Sequence, residues 1–322
     1  MPDTPYTPGG PTSTTLARSP EAERFLDRIA GIDSPGGDPR VKQIVRRIVG
    51  DLFRTIDDFD VQPDEFWAAV AYVGSLGPAR EHALLAPGLG FDHYLDLRMD
   101  LVEREIGLAG GTPRTIEGPL YVAGAPLEKG FARLDDGSEQ GETLYMHGRV
   151  LTIDGRPIPG AIVEVWHADT HGNYSFFDPT QSPFNLRRRI ETDAGGRYRF
   201  RSIMPSGYGC PPEGPTQRLL DLLGRHGQRP AHIHFFASAP GHRQLTTQIN
   251  IAGDPLVHDD FAFATRDELI PDVVRHDAPT PEARAAGNEG PFAEIEFDSV
   301  QHEAGPDLPP DIVQRERASA TA

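Results

Sequence analysis

The stretch Arg229-Pro230-Ala231-His232-Ile233-His234-Phe235-Phe236 decides how the second half of this chain is read. Its apolar, strand-like character predicts a strand, with Pro230 fixing the entry. Side chains alternate along a strand, so His232 and His234 point to the same face. Two imidazoles on one face can share a metal ion, and imidazole suits iron, copper and zinc. A bare His-x-His is explained as well by two histidines that satisfy hydrogen bonds inside a sheet. The surroundings of this pair favour the metal.

Arg229 lies three residues before His232, at the start of the strand. Upstream, Pro205-Ser206-Gly207-Tyr208-Gly209-Cys210 sets Tyr208 between two residues that allow positive φ and close backbone approach. Tyr174 sits in His171-Gly172-Asn173-Tyr174-Ser175-Phe176-Phe177-Asp178, again a turn-like place. Two tyrosines and two histidines make a set of hard oxygen and borderline nitrogen donors. A phenol ionises only when its pKa is brought down from about 10. A trivalent cation would do that, and two phenolates would cancel two of the three charges of Fe(III).

The segment from Gly196 to Gln217, Gly-Arg-Tyr-Arg-Phe-Arg-Ser-Ile-Met-Pro-Ser-Gly-Tyr-Gly-Cys-Pro-Pro-Glu-Gly-Pro-Thr-Gln, resembles the intradiol ring-cleavage dioxygenases, as does Gly227 to Phe236. The resemblance runs from about Pro78 to Val274, and more loosely through the N-terminal part. Several separated motifs agree in order and spacing. The chain is most similar to members that cleave unsubstituted catechol, with the chlorocatechol and hydroxyquinol members as alternatives. The resemblance implies that Tyr174, Tyr208, His232 and His234 bind one Fe(III) per subunit. It implies catechol and O2 as substrates, with Tyr208 leaving the metal to take a substrate proton, a built-in general base. The product would be cis,cis-muconate, in aromatic degradation through the β-ketoadipate pathway.

Arg229 and Gln248 match family residues near the substrate ring, where a guanidinium would stabilise developing negative charge. Their plainer readings are a structural ion pair and a cross-strand hydrogen bond. Leu84, Pro87, Ile116, Pro119, Leu120, Phe261 and Ala262 match positions that line the ring's cleft. Each alone reads as readily as a core residue; their joint match gives them weight. The resemblance also implies a homodimer joined by N-terminal helices, with a phospholipid in an apolar tunnel.

Composition bounds the rest. The 322 residues carry 48 acids against 31 bases, a net charge of −17. That argues against nucleic acid and anionic membranes as partners. Cys210 is the single cysteine, which excludes an intrachain disulfide framework and fits a reducing cytoplasm. It reads as a small pocket-lining residue ahead of a reactive thiol. The N-terminus has neither the basic start nor the apolar core of a signal peptide. The longest apolar run, near Phe66 to Val73, is too short to span a bilayer.

Residues 1–18, rich in Pro, Thr and Gly, predict disorder. Residues 19–110 predict an α-helical linker or dimerisation domain. Its helices are expected after Pro20, from an Asp38 cap with Pro39 at the first position, from Asp64, over 80–86 ended by Pro87, and over 91–106. Gly31 to Gly37 reads as a linker. Val41, Ile44, Val45, Ile48, Val49, Leu52, Phe53 and Ile56 form a broad stripe that must bury against neighbouring helices or a second subunit. After Gly110, turn signals and short β-branched runs predict strands over 144–152, 161–167, 197–203, 232–238 and 245–251, with one more near 291–298. The expected fold is mainly β: a β-sandwich catalytic domain over 111–303, preceded by the α-helical part and followed by a disordered tail over 304–322.

Two rivals compete. The run Gly148 to Val165 followed by Gly196-Arg-Tyr-Arg-Phe200 resembles transthyretin-like sandwich modules that only bind. A ferrous oxygenase would use two histidines and a carboxylate, which His167, Asp169 and His232 fit loosely, with Arg243 to hold an oxoacid. That leaves Tyr174, Tyr208 and His234 without a task. No Gly-x-Ser-x-Gly, phosphate-cradling Gly-rich loop or His-Glu-x-x-His occurs.

Overall fold

Ser19, Asp38 and Gln62 each stand immediately before a proline, and each opens a helix: α1 (Pro20–Ile29), α2 (Pro39–Asp58) and α3 (Pro63–Leu76). The Ser19 hydroxyl accepts from Ala22 N at 3.1 Å, and the Asp38 carboxylate accepts from Arg40 N at 2.7 Å. Glu65 accepts from Gln62 N at 2.9 Å. Proline at the first helical position gives up an N–H that would lack a partner anyway. The computed structural model describes residues 16–138, 140–285, 287–309, 311 and 317–319. They fall into two units, one ending at Pro78 and one beginning at Ala79.

In the first unit, Arg46 of α2 reaches both Glu23 and Asp27 of α1 at 2.6 Å. Phe25 stacks on Phe53 at 6.1 Å, and a Cβ on Gly50 would meet the buried Leu26. The α2 stripe stays largely uncovered: Val41, Ile44, Ile48 and Leu52 are 43–54% exposed. Phe66, Trp67, Val70 and Val73 of α3 are exposed as well. Within this unit the described helices cover the stripe only in part: Val45, Val49, Phe53 and Ile56 are half-buried.

The second unit begins with α4 (His82–Gly88) and α5 (Phe91–Glu105). Pro87 lies inside α4 rather than ending it, because the turn closes beyond it through Leu89 N to Leu85 O. Short strands β1 (Val122–Ala123), β2 (Leu127–Lys129) and β3 (Phe131–Arg133) follow. Then come β4 (Thr143–Thr152), β5 (Ile162–His167), β6 (Arg187–Glu191), β7 (Arg197–Ile203) and β8 (Tyr208–Gly209). After α6 (Pro215–Leu222) the chain forms β9 (Gln228–Arg229), β10 (His232–Ser238), β11 (Leu245–Asn250) and β12 (Val274–His276). Helix α7 (Pro281–Ala285) precedes β13 (Phe292–Glu296), β14 (Ser299–Gln301) and β15 (Ala318–Ser319).

One sheet has the order β11-β10-β5-β6-β2 and the other β12-β13-β4-β7-β3, with β14 also on β4. Alternate residues of both supply one core, including Leu144, Met146, Val163, Val165, Phe200, Ile233, Phe235, Ile249 and Ile295. Two sheets thus face each other, as the turn-rich sequence suggests, together with seven helices among the described residues. The sheets are mixed, which the hairpin signals do not foretell: β13 and β14 run parallel to β4, β2 to β6 and β3 to β7. Strand β6 is hidden in Arg-Arg-Arg-Ile-Glu because only Ile190, 0% exposed, carries a core signal.

Disorder expected over 1–15 and at 310, 312–316 and 320–322 lies outside the described residues. Leu16–Arg18 form a 3-10 turn. Within the tail, Ala318–Ser319 pair in parallel with Val122–Ala123, and Arg317 meets the Glu117 carboxylate at 2.8 Å. A backbone ladder and an ion pair hold a segment that composition alone reads as unstructured.

Candidate metal centre

Tyr174 lies on the loop between β5 and β6. Asp169 shapes that loop: its carboxylate accepts from His171 N at 2.9 Å and Asn173 N at 2.8 Å. Gly172, at φ 85°, is where the loop meets Tyr208; a Cβ there would sit 2.7 Å from the Tyr208 Cβ. Tyr208 opens β8, opposite Arg229 of β9. A Cβ on Gly207 would lie 2.5 Å from Arg229 O, and one on Gly209 would lie 2.3 Å from the Gln228 amide. The glycines flanking Tyr208 therefore serve close approach; neither has positive φ. His232 and His234 project from β10, between β5 and β11, with His234 opposite Trp166 and Gln248.

The four side chains converge. From His232 Nε2, His234 Nε2 is 3.1 Å away, and the hydroxyls of Tyr174 and Tyr208 are each 3.5 Å away. Around a first-row ion with bonds of roughly 2.1 Å, adjacent ligand atoms are separated by about 3–3.6 Å. The donor set therefore fits such an ion. Tyr174, His232 and His234 are buried, whereas Tyr208 is half-buried. His232 Nδ1 lies 2.7 Å from Pro230 O, a carbonyl that can only accept. The ring proton is thereby assigned to Nδ1 and the Nε2 lone pair is left for a metal. Burial, reinforced by Arg229, lowers the His232 pKa to about 3, so the ring is neutral. Burial, with Tyr208 adding to it, pushes the Tyr174 phenol well above its ordinary value. Tyr174 ionises only if a cation occupies the site.

Arg229 borders the quartet. Its Nη1 is 3.0 Å from His232 Nε2, its Nη2 donates to Gln248 Oε1 at 2.9 Å, and its Nε and Nη2 donate to Asp260 at 3.1 and 3.0 Å. Both plainer readings hold alongside placement at the site: Arg229 is a buried ion pair and Gln248 its hydrogen-bond partner. Burial pulls the guanidinium down, but Asp260 outweighs it and keeps the charge fixed.

The ferrous alternative does not assemble. His167 donates from Nδ1 to Ala168 O and accepts at Nε2 from the Ser202 hydroxyl, both at 2.7 Å. Asp169 is occupied by its loop and by Gln181 at 3.0 Å. Arg243 pairs with Glu103 at 2.6 Å. Among the described residues no three His, Cys, Asp or Glu form a metal-holding group; only the phenols complete the set of two histidines.

Of the expected cleft residues, Ile116, Phe261 and Ala262 form a buried cluster with Cys210, against which Leu84 packs. Leu120 packs instead on the cluster that holds Tyr174, as Tyr208 does. Pro87 is buried in α4 beside Gly88, where an added Cβ would touch Phe261. Pro119 follows Gly118, where a Cβ would lie 3.5 Å from the His234 ring. Burial pushes the Cys210 thiol up, away from the reactive thiolate. A cavity of about 480 Å³ lies elsewhere, walled by the ion-paired Asp100, Glu103, Arg114, Arg243 and Arg266; of the candidate residues only Ile116 touches it.

Residues 116–300 match the family model described as Dioxygenase, and residues 38–107 match that of the catechol dioxygenase N terminus. The chain belongs to the intradiol catechol dioxygenase family. Catechol 1,2-dioxygenase of Acinetobacter baylyi is 58% identical over 282 residues, 86% of this chain and 90% of that protein. The solved catechol 1,2-dioxygenase from Acinetobacter sp. ADP1, inhibited by bound mercury, has a TM-score of 0.90 at 54% identity, covering 95% of this chain and 100% of that one. A hydroxyquinol 1,2-dioxygenase of a Rhizobium species is 32% identical over 88% of this chain, and a chlorocatechol 1,2-dioxygenase of Cupriavidus pinatubonensis 35% over 73%.

The dioxygenase site also draws on residues that sequence reasoning missed. Asp260 fixes Arg229 from 31 positions away, a distance no local pattern spans. Trp166 stacks on His234 at 4.9 Å with the ring planes 5° apart, a contact set by the pairing of β5 with β10. Arg187 approaches the Tyr174 ring at 5.6 Å from inside a run of arginines that reads as solvent-exposed.

Proposed function

We propose that this chain is a catechol 1,2-dioxygenase that holds one Fe(III) per subunit. It opens catechol between its two hydroxylated carbons, adding both atoms of O2 to give cis,cis-muconate. The observation that carries the reading is the convergence of two phenols and two imidazoles within 3.5 Å of one nitrogen. Tyr174, Tyr208, His232 and His234 are the ligands. Fe(III), when bound by these four side chains, would supply the Lewis acidity that opens a ring carbon of catechol to O2.

The chain's own groups do the rest. Tyr208 is half-buried on a two-residue strand, while Tyr174 is 3% exposed. Tyr208 is therefore the phenol free to swing off and receive a substrate proton on its oxygen. Arg229, held by Asp260 and Gln248, presents a fixed positive charge beside His232, where negative charge develops on the ring. Leu84, Pro87, Ile116, Pro119, Leu120, Phe261 and Ala262 give an apolar cleft suited to an unsubstituted ring. The uncovered apolar faces of α2 and α3 support a homodimer joined through the helices, with a phospholipid in the tunnel between them. The single cysteine supports a cytoplasmic setting, in a β-ketoadipate route of aromatic degradation.

The test is O2 uptake and muconate absorbance with catechol, run beside chlorocatechol and hydroxyquinol. A higher kcat/KM for either would move the assignment to that substrate. Iron-replete protein without a visible phenolate band, or without catechol-dependent O2 uptake, would overturn the reading.

A further inference from the structure

Arg187 is a buried cation without an acid to balance it. It is 1% exposed, its Nη1 has no hydrogen-bond partner among the described residues, and none of their carboxylates pairs with it. A guanidinium is not deprotonated in proteins, so the buried group keeps its charge at neutral pH. Buried guanidinium groups are costly unless something opposes them. The opposing groups near it are the phenols of Tyr174 and Tyr121. Tyr121 donates to Glu164 at 2.7 Å, and burial raises its pKa, so it stays neutral. Tyr174 is left, with the guanidinium carbon 5.6 Å from its ring centroid.

The same arginine grips the residue after Tyr174. Its Nε donates to the Ser175 hydroxyl and its Nη2 to the Ser175 carbonyl, both at 3.0 Å, while that hydroxyl donates to Asn185 O at 2.6 Å. The backbone accepts left-handed conformations at Phe176 (φ 76°), Phe184 (φ 60°) and Leu186 (φ 59°) around this contact. Bulky residues rarely tolerate that, and such strain gathers where a side chain must be held in one place.

We propose that Arg187 is a positioning residue for the metal centre: it braces the Tyr174 loop and supplies the buried charge that balances the Tyr174 phenolate, so setting how strongly that phenolate donates to iron. This rests on the ferric reading above. A positive charge beside the ring stabilises the phenolate's donor orbital, and removing it brings that orbital closer in energy to the metal's. Iron-loaded R187M, without catechol, should therefore show its visible phenolate band at longer wavelength and lose iron to a chelator about ten- to a hundredfold faster. R187K keeps the charge but not the two-pronged grip, so its band should stay near the wild-type position while iron loss is still accelerated. Arg188 bonds Phe184 O and Arg187 O at 2.7 Å; R188M loosens the same bend and should leave the band in place.

R187M with wild-type band and wild-type iron retention overturns the proposal and leaves the proposed function standing. Should R187M not fold, wild-type iron retention in R187K overturns it equally. Iron-loaded wild-type protein without any visible band would instead sink the ferric reading.

Discussion

Arg229→Leu tests the site at its most buried charge. The Arg229 and Asp260 side chains are 4% and 1% exposed, 3.0 Å apart. The substitution removes Nε and Nη2 as donors to Asp260 and leaves that carboxylate with the amides of Ala262 at 3.0 Å and Ala264 at 3.4 Å. Removing one partner of a buried pair costs about 3–5 kcal/mol. For a unit of this size that is a fall in Tm of roughly 6–20 °C. The penalty must also depend on pH. In the wild-type protein burial pushes the Asp260 carboxyl up, but Arg229 outweighs it and holds the group below the ordinary value. Its contribution to stability is then present above the unfolded pKa, about 3.9, and lost as pH falls through the folded one. In the variant burial, the largest influence on the group, is opposed only by the weaker pull of the Ala262 amide and His232, and the folded pKa should rise above the unfolded. Stability is then full below about pH 4 and falls as pH rises. The deficit of the variant should be widest near neutrality and shrink toward pH 4. Urea midpoints of both proteins between pH 4 and 7.5 read this directly, with iron content and turnover measured in parallel. Iron should be retained while ring cleavage slows. A deficit below about 1 kcal/mol at pH 7, or one that does not change with pH, would refute the account of the pair; loss of iron would make Arg229 structural.

Under the proposed assignment Tyr208→Phe removes a ligand and the base together, and it should cut turnover by about 10²–10⁴-fold; a near-normal kcat at matched iron content would count against both roles. Gly172→Ala forces a Cβ to 2.7 Å from the Tyr208 Cβ at φ 85°, so it should lower both stability and iron occupancy, with the visible band weakened in proportion. His167, buried with its pKa lowered to about 4 from 6.5, binds its proton more readily in the unfolded chain. Stability should drop as pH falls from 6.5 to 4, by about 3 kcal/mol from this group. His167→Gln should flatten that slope in denaturant titrations; an unchanged slope would mean that the ring is not held neutral.

The sequence by itself determined what lies close along the chain. A cap followed by proline, Asp38-Pro39, started α2, because a cap and its partners sit within three or four positions; α1 begins at Pro20, and α3 begins at Pro63 behind Gln62, one residue before the Asp64 start expected from the sequence. Alternating apolar residues placed β4 and β7, and continuous apolar or β-branched runs between turn signals placed β5, β10 and β11, each to within a residue or so; side chains alternate along any strand. His232 and His234 shared a face for the same reason. The tertiary structure decided everything that depends on what another segment brings. It made the sheets mixed by returning β13 and β14 beside β4, and it seated Arg229 on Asp260 and Trp166 on His234. It also turned an arginine-rich, polar-looking run into a sheet strand that buries Arg187 and Ile190, with Arg187 against Tyr174. A carboxylate 31 residues from its arginine leaves no periodic trace, since contacts closed by the fold obey no spacing in the chain. The four donors could be named from the sequence, but only folding brought them within 3.5 Å of one atom.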